Sequence, residues 1–258
     1  MILAIRGPEK SCKTTLGLSF PKRLMVYDFD LGSDRAVPRF QDEVDMDLIV
    51  VKKYPIPPQG VYLDEKGKVS IRKDAKVRGV REVWERFLQD YVTAVMDPGF
   101  ESHLIDTGTQ CWECCHRSFL QEKQEAQPAN ERLRERLLPV EYGEPNARMK
   151  AVIYTARTYS RNLIITHYQR ELYREVLTDR GLEERRTGEF ELDGFKYTNG
   201  LVDMSVVTSV LGNVPHCKVD LCGLDLRLQG MELIEPTYQK IVDALSMVRG
   251  GSNAQKPE

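Results

Sequence analysis

Hydrophobic residues in this chain gather in short unbroken runs, and between the runs lie amphipathic stretches or polar segments marked by glycine and proline. Ile2 to Ile5, Leu24 to Tyr27, Leu48 to Val51, His103 to Ile105 and Asn162 to Thr166 are such runs, each suited to a strand buried on both faces. Val80, Val83, Trp84, Phe87, Leu88, Tyr91, Val92 and Val95 recur at helical spacing, which predicts an amphipathic helix over 79–96 that Asp97-Pro98-Gly99 ends. Further helices are expected from Lys13, from about Thr109, over about 146–160, and from Pro236 to about Val248. Prolines 21, 55, 57, 58, 128, 139 and 145 punctuate the segments between. Val61 to Ile71 reads as a hairpin about Lys66-Gly67, and Tyr168 to Asn199 as a long polar loop with some hairpin character. Leu201 to Leu211, Cys217 to Leu221 and Leu224 to Leu228 read as later strands. Strands alternating with helices predict an α/β fold with a mainly parallel central sheet flanked by helices, the later strands pairing antiparallel. The chain shows no internal repeat.

The 258 residues, 41% hydrophobic and 29% charged, suit one large domain over 1–249 with a disordered tail over 250–258. A net charge of −2 excludes a uniformly basic nucleic-acid binder, so any such contact must come from local clusters. No apolar run approaches a membrane span, and the chain enters its first strand without a signal peptide. A soluble cytoplasmic protein is therefore expected. Six cysteines stand at 12, 111, 114, 115, 217 and 222. The cluster Cys111, Cys114, Cys115, His116 lacks a second pair at zinc-site spacing, so these thiols are expected as small apolar residues on a buried helix.

The most informative stretch is Gly7, Pro8, Glu9, Lys10, Ser11, Cys12, Lys13, Thr14, Thr15, set between an apolar run and a helix start. A loop of the form GxxxxGK[ST] in that context wraps an anion in backbone N–H groups; its Lys reaches the outer phosphates and its hydroxyl takes Mg²⁺. Lys13 and Thr14 fill those two roles. Cys12 stands where the second glycine belongs and can crowd a phosphate, so weak turnover is expected.

A P-loop enzyme also needs a carboxylate at the end of an apolar strand, beside the loop, to hold Mg²⁺. Asp106 in HLIDT fits this role. Asp28 and Asp30 end the strand after the loop helix and are the candidates for orienting water, Asp30 preferred. Thr166 and His167 end a neighbouring strand and are candidates for contact near the γ-phosphate.

GPEKSCKTT, MVYDFDLG, HLIDTGT, NLIITH and LVDMSVVTSV, in that order, resemble the RecA-like ATPases. More narrowly, they resemble a small phage-encoded family of RecA-core ATP-binding proteins used in single-strand annealing. The resemblance covers most of the chain and implies a RecA-like P-loop NTPase core that uses ATP and Mg²⁺. It also implies single-stranded DNA as partner, assembly into a homo-oligomeric ring or filament, and an additional single-strand DNA-binding protein as a possible partner. Under it the water-activating acid maps onto Asp30, the metal acid onto Asp106, and the polar strand end onto Thr166 and His167. Asp30 departs from the Glu of larger recombinases. DNA-binding loops of RecA-like proteins map onto Tyr168 to Asn199, where Arg170, Arg174, Arg180, Arg185, Arg186 and Lys196 are interleaved with Tyr173, Phe190, Phe195 and Tyr197. Cations with aromatic faces are what single-strand binding uses, although six glutamates share the segment. Lys66 to Arg81 is a second, weaker basic stretch. The alternatives are a helicase-like or packaging motor of the same fold, and a nucleotide-regulated binding module with little turnover.

Overall fold

The computed structural model describes residues 1–63, 67–71, 76–128, 130–178 and 181–250. In chain order its elements are β1 (Ile2–Arg6), α1 (Lys13–Leu18), β2 (Leu24–Asp28), α2 (Gln41–Asp45), β3 (Ile49–Lys53), β4 (Val61–Leu63), β5 (Val69–Ile71), α3 (Val80–Met96), β6 (Ser102–Asp106), α4 (Gly108–Glu125) and α5 (Gly143–Thr158). Then follow β7 (Asn162–His167), β8 (Gln169–Thr178), β9 (Gly181–Leu192), α6 (Thr198–Leu201), β10 (Met204–Leu211), β11 (Val214–Cys222), β12 (Glu232–Ile234) and α7 (Tyr238–Gly250). Among the described residues, eight strands form one sheet in the order β12-β11-β10-β1-β7-β6-β2-β3. The pairs from β10 through β1, β7, β6 and β2 to β3 are parallel, while β10–β11 and β11–β12 are antiparallel.

This order has a direct consequence for chemistry. β1 and β2 are consecutive in sequence yet separated in the sheet by β7 and β6, so the loops leaving β1 and β2 part company and open a crevice at the carboxyl edge. Ligands of open α/β sheets sit at such a point. The apolar runs are continuous because both faces are covered. On one face Trp84, Phe87 and Tyr91 of α3, Cys111 of α4 and Ile153 of α5 share a core with Tyr27 and Ile105. On the other, Leu16, Leu18, Ile241 and Leu245 pack against Leu3, Ile5 and Val26.

α3 buries Val80, Val83, Trp84, Phe87, Tyr91 and Val95 as its spacing predicts, with Val92 left exposed at the edge of the stripe. Gly79 at its N-cap has no side chain to satisfy the first amides. α4 supplies the acceptors instead: Gln121 Oε1 takes the amides of Val80 and Arg81, both at 3.0 Å, and Gln124 Oε1 takes that of Val77 at 2.8 Å. Cys111, Cys114 and Cys115 lie in the same core, and burial pushes the Cys114 thiol up to about 12.

Three expectations need correction. The hairpin character expected of Tyr168 to Asn199 extends over most of that segment: β8 and β9 form a long antiparallel hairpin rather than a loop, one the sequence understates because charged residues occupy both of its faces. Leu224 to Leu228 is no strand; Asp225 accepts the Arg227 amide at 3.1 Å and caps a short 3-10 turn, and the edge strand is β12. Gly250, assigned to the tail, is the last residue of α7. β4 and β5 pair antiparallel as the hairpin reading expects. Lys66, residues 72–75 of the basic stretch, Arg180 and the tail over 251–258 lie outside the described residues. No described helix is long and apolar enough to cross a membrane.

Candidate phosphate-binding site

The loop between β1 and α1 is shaped by two glycines and a neighbouring strand. A Cβ on Gly7 would sit 2.5 Å from both the carbonyl and the hydroxyl oxygen of Thr208, so no other residue fits there. Thr208 lies on β10 beside β1, and its hydroxyl meets that of Ser11 at 2.7 Å, pinning the loop to the sheet. Ser11 also engages the Pro8 carbonyl at 2.8 Å. At the other end, a Cβ on Gly17 would come within 2.8 Å of the Leu104 side chain, so α1 lies close against β6. Thr14 is one turn before Gly17 on the same helix face, and Asp106 is two residues after Leu104 on the same strand face. The close approach therefore brings the Thr14 hydroxyl to 2.8 Å from Asp106 Oδ2, to which it donates.

Asp106 ends β6 fully buried, and Thr166, at the end of β7, donates to its second oxygen. Burial pushes its carboxyl up to about 6; the carboxylates of Asp30 and Asp28 add to that, and the two threonine hydrogen bonds oppose it. Lys13 folds back over its own loop, its Nζ donating to the carbonyls of Gly7 at 3.0 Å and Pro8 at 2.6 Å. Burial lowers its pKa, opposed by Asp106, Asp30 and Glu9.

Cys12 is the N-cap of α1 at φ 65° and ψ 24°, in the left-handed region that glycine occupies without penalty. The missing glycine thus has a backbone reason as well as the steric one. Cys12→Gly is expected to stabilise the loop by about 1 kcal/mol and to tighten nucleotide binding or raise turnover. Thermal melts with ATP titrations check this; weaker affinity in the glycine variant would show that the side chain belongs in its site.

The two candidate acids after β2 separate cleanly. Asp28 is buried and spent on structure, taking the amides of Gly32 and Ser33, each at 3.2 Å, and the Ser33 hydroxyl. Asp30 faces a cavity of about 330 Å³ together with the loop from Glu9 to Thr15, Asp106, Thr107 and Tyr168. Its Oδ1 accepts the Gly32 amide and its Oδ2 the Tyr168 hydroxyl, both at 2.8 Å. Arg35 and Arg39, four residues apart on the turns that follow, line the same cavity.

His167 is placed differently from Thr166. It is fully buried, with Nδ1 3.1 Å from the Asp193 carbonyl and Nε2 lacking a hydrogen-bond partner among the described residues, and burial holds its pKa down at about 4. It packs against Gly108, where a Cβ would meet its ring at 2.6 Å, and is not among the residues lining the cavity. On the hairpin, Arg170 pairs with Glu191 at 2.7 Å, Arg174 with Glu189 at 3.0 Å and Arg186 with Glu171 at 3.5 Å. Arg174 and Arg185 are direct cross-strand partners, and Tyr173 and Phe190 are about half exposed. Lys196 lies 5.0 Å from the Tyr197 ring.

Thr208, Tyr168, Arg35 and Arg39 were not singled out by their sequence. Only the arginines carried a local signal, a helical spacing of four just after Asp30. The others are placed by strand order.

No family model matches the sequence, and no curated protein matches it. Solved structures do resemble it. A KaiC-like protein from the hyperthermophilic archaeon Pyrococcus horikoshii OT3 is 9% identical, over 90% of this chain and 84% of that one, with a TM-score of 0.50. The RadB recombinase is 13% identical over 90% and 85%, TM-score 0.49. An ATPase from the type III secretion system of pathogenic bacteria is 13% identical over 81% and 52%, TM-score 0.42. At such identities the likeness is one of fold and does not reach the narrower phage-encoded family. The chain has a RecA-like α/β fold: a mainly parallel sheet between two helical layers, extended by antiparallel strands toward its C-terminus.

Proposed function

We propose that the chain binds ATP with Mg²⁺ in the cavity at the carboxyl edge of the sheet, hydrolyses it, and couples this to binding of single-stranded DNA. The observation that carries the nucleotide reading is the convergence of Lys13 and Thr14, from the start of α1, and Asp106, from the end of β6, upon one cavity, with Thr166 bonded to Asp106 from behind. The residues suit the ligand. A hydroxyl and a carboxylate already in contact are the hard oxygen donors Mg²⁺ prefers, so Thr14 and Asp106 would hold it. When bound, the ion supplies charge neutralisation between the phosphates. Lys13 exchanges its two loop carbonyls for phosphate oxygens. Arg35 and Arg39 add positive charge on the same side of the cavity as Asp30. Asp30 retains lone pairs to take a proton from water as that water attacks the γ-phosphorus and ADP leaves.

Cys12 offers a direct test, because the other five cysteines are buried while Cys12 is half-exposed on the cavity wall. Mg²⁺-ATP at ten times its dissociation constant is expected to slow maleimide alkylation of Cys12 about tenfold. Unchanged alkylation at saturating ATP would place the nucleotide elsewhere.

The DNA reading is carried by the β8–β9 hairpin, where Arg174 and Arg185 face each other across the strands. Tyr173 and Phe190 offer exposed rings for unpaired bases. The hairpin from 169 to 192 nevertheless carries five arginines against seven carboxylates, so affinity should be modest and strongly salt-dependent. Replacing Arg185 and Arg186 with alanine is expected to weaken binding to oligo-dT and to flatten the log–log salt slope by roughly 0.7 for each phosphate no longer neutralised. ATP affinity should not change. Unaltered DNA affinity and slope would remove the hairpin from the DNA surface.

A further inference from the structure

We propose that Tyr168 is a positioning residue for Asp30, its hydroxyl fixing the carboxylate that orients water. This rests on the hydrolytic reading of the cavity given above. Asp30 lies two residues beyond the end of β2, on a turn, and within that turn only the Gly32 amide holds it. A carboxylate held at one oxygen alone can still rotate. Tyr168, which lines the same cavity, supplies the second point, donating to Oδ2 at 2.8 Å.

Tyr168 is itself firmly held. Its amide donates to the Thr109 hydroxyl at 3.0 Å, that hydroxyl donates to the Asp193 carbonyl at 2.7 Å, and the Asp193 amide returns to the Tyr168 carbonyl at 3.0 Å. The anchoring groups come from the start of α4 and from the chain just past β9, so both strands of the hairpin are tied at its base. The ring packs 5.9 Å from Lys13 Nζ, and this one side chain therefore touches both the cation and the anion of the cavity. Burial and the adjacent Asp30 carboxylate raise the phenol's pKa, so the hydroxyl stays a donor across the working pH range. Two engaged oxygens do not exhaust a carboxylate, whose remaining lone pairs are free for water. Orientation is what the tyrosine adds, and misorientation of a general base is costly without any loss of binding.

The test is Tyr168→Phe, which keeps the ring over Lys13 and deletes only the hydrogen bond. ATP turnover, ATP affinity and melting temperature are measured together, with Lys13→Ala as the control on the site. The expected result is a kcat lowered about tenfold with ATP affinity within about twofold and the melting temperature unchanged. An unchanged kcat would overturn the proposal. So would a fall in kcat matched by equal losses in affinity and thermal stability, because that pattern marks a purely structural contact. If Lys13→Ala binds and turns over ATP like the parent, the reading of the cavity fails, and the role of Tyr168 with it.

Discussion

Lys13→Ala is expected to lower ATP affinity by roughly 100-fold or more while leaving the protein folded. Charged hydrogen bonds are worth about 1.5–3 kcal/mol each, and Lys13 is the loop side chain placed to make them with the outer phosphates. The loss to the fold should be small. Its Nζ satisfies only the carbonyls of Gly7 and Pro8, which water from the cavity can reach, and a cation in the first turn of α1 opposes the helix dipole. Equilibrium ATP binding and a thermal melt of the same preparation separate the two effects. Parent-like affinity would mean that the loop is not a phosphate site.

Asp106→Asn and Asp30→Asn should fail in different ways. Asparagine at 106 can still accept from one threonine and donate to the other, and it removes a buried charge that the fold holds against desolvation. The variant should therefore melt no lower than the parent, yet lose Mg²⁺-dependent turnover by roughly 100-fold or more, since an amide is a poor ligand for a hard cation. Asparagine at 30 should keep nucleotide binding and lower turnover by about 10²- to 10⁴-fold, the span of general-base catalysis. Metal dependence of binding distinguishes the pair. Full hydrolysis in Asp30→Asn would shift the role to Asp28 or outside this turn.

What the sequence made legible is what lies close along the chain. Gly7 to Thr15 declares itself by spacing, and Asp106 by ending an apolar run; neither depends on knowing which strand neighbours which. The contacts that set the geometry pair residues 87 to 201 positions apart, such as Gly7 with Thr208, Gly17 with Leu104 and Asp30 with Tyr168. They follow from a strand order that puts β1 between β7 and β10. His167 teaches a narrower point. Consecutive residues of a strand face opposite sides, so once Thr166 turns to Asp106 its neighbour must turn away, and His167 does so into a site walled by Gly108 and the Asp193 carbonyl. Leu224, Leu226 and Leu228 misled in the converse way. Their alternation imitates a strand, while the Asp225 cap bends that segment into a turn.

We propose a Mg²⁺-nucleotide site in the loop from Gly7 to Thr15, with Asp106. Calorimetric titration of the unmodified protein with ATP, once with Mg²⁺ and once with EDTA, addresses it most directly. One site per chain is expected, with tighter binding in the presence of Mg²⁺. Absence of binding at millimolar ATP, or affinity indifferent to Mg²⁺, would contradict it.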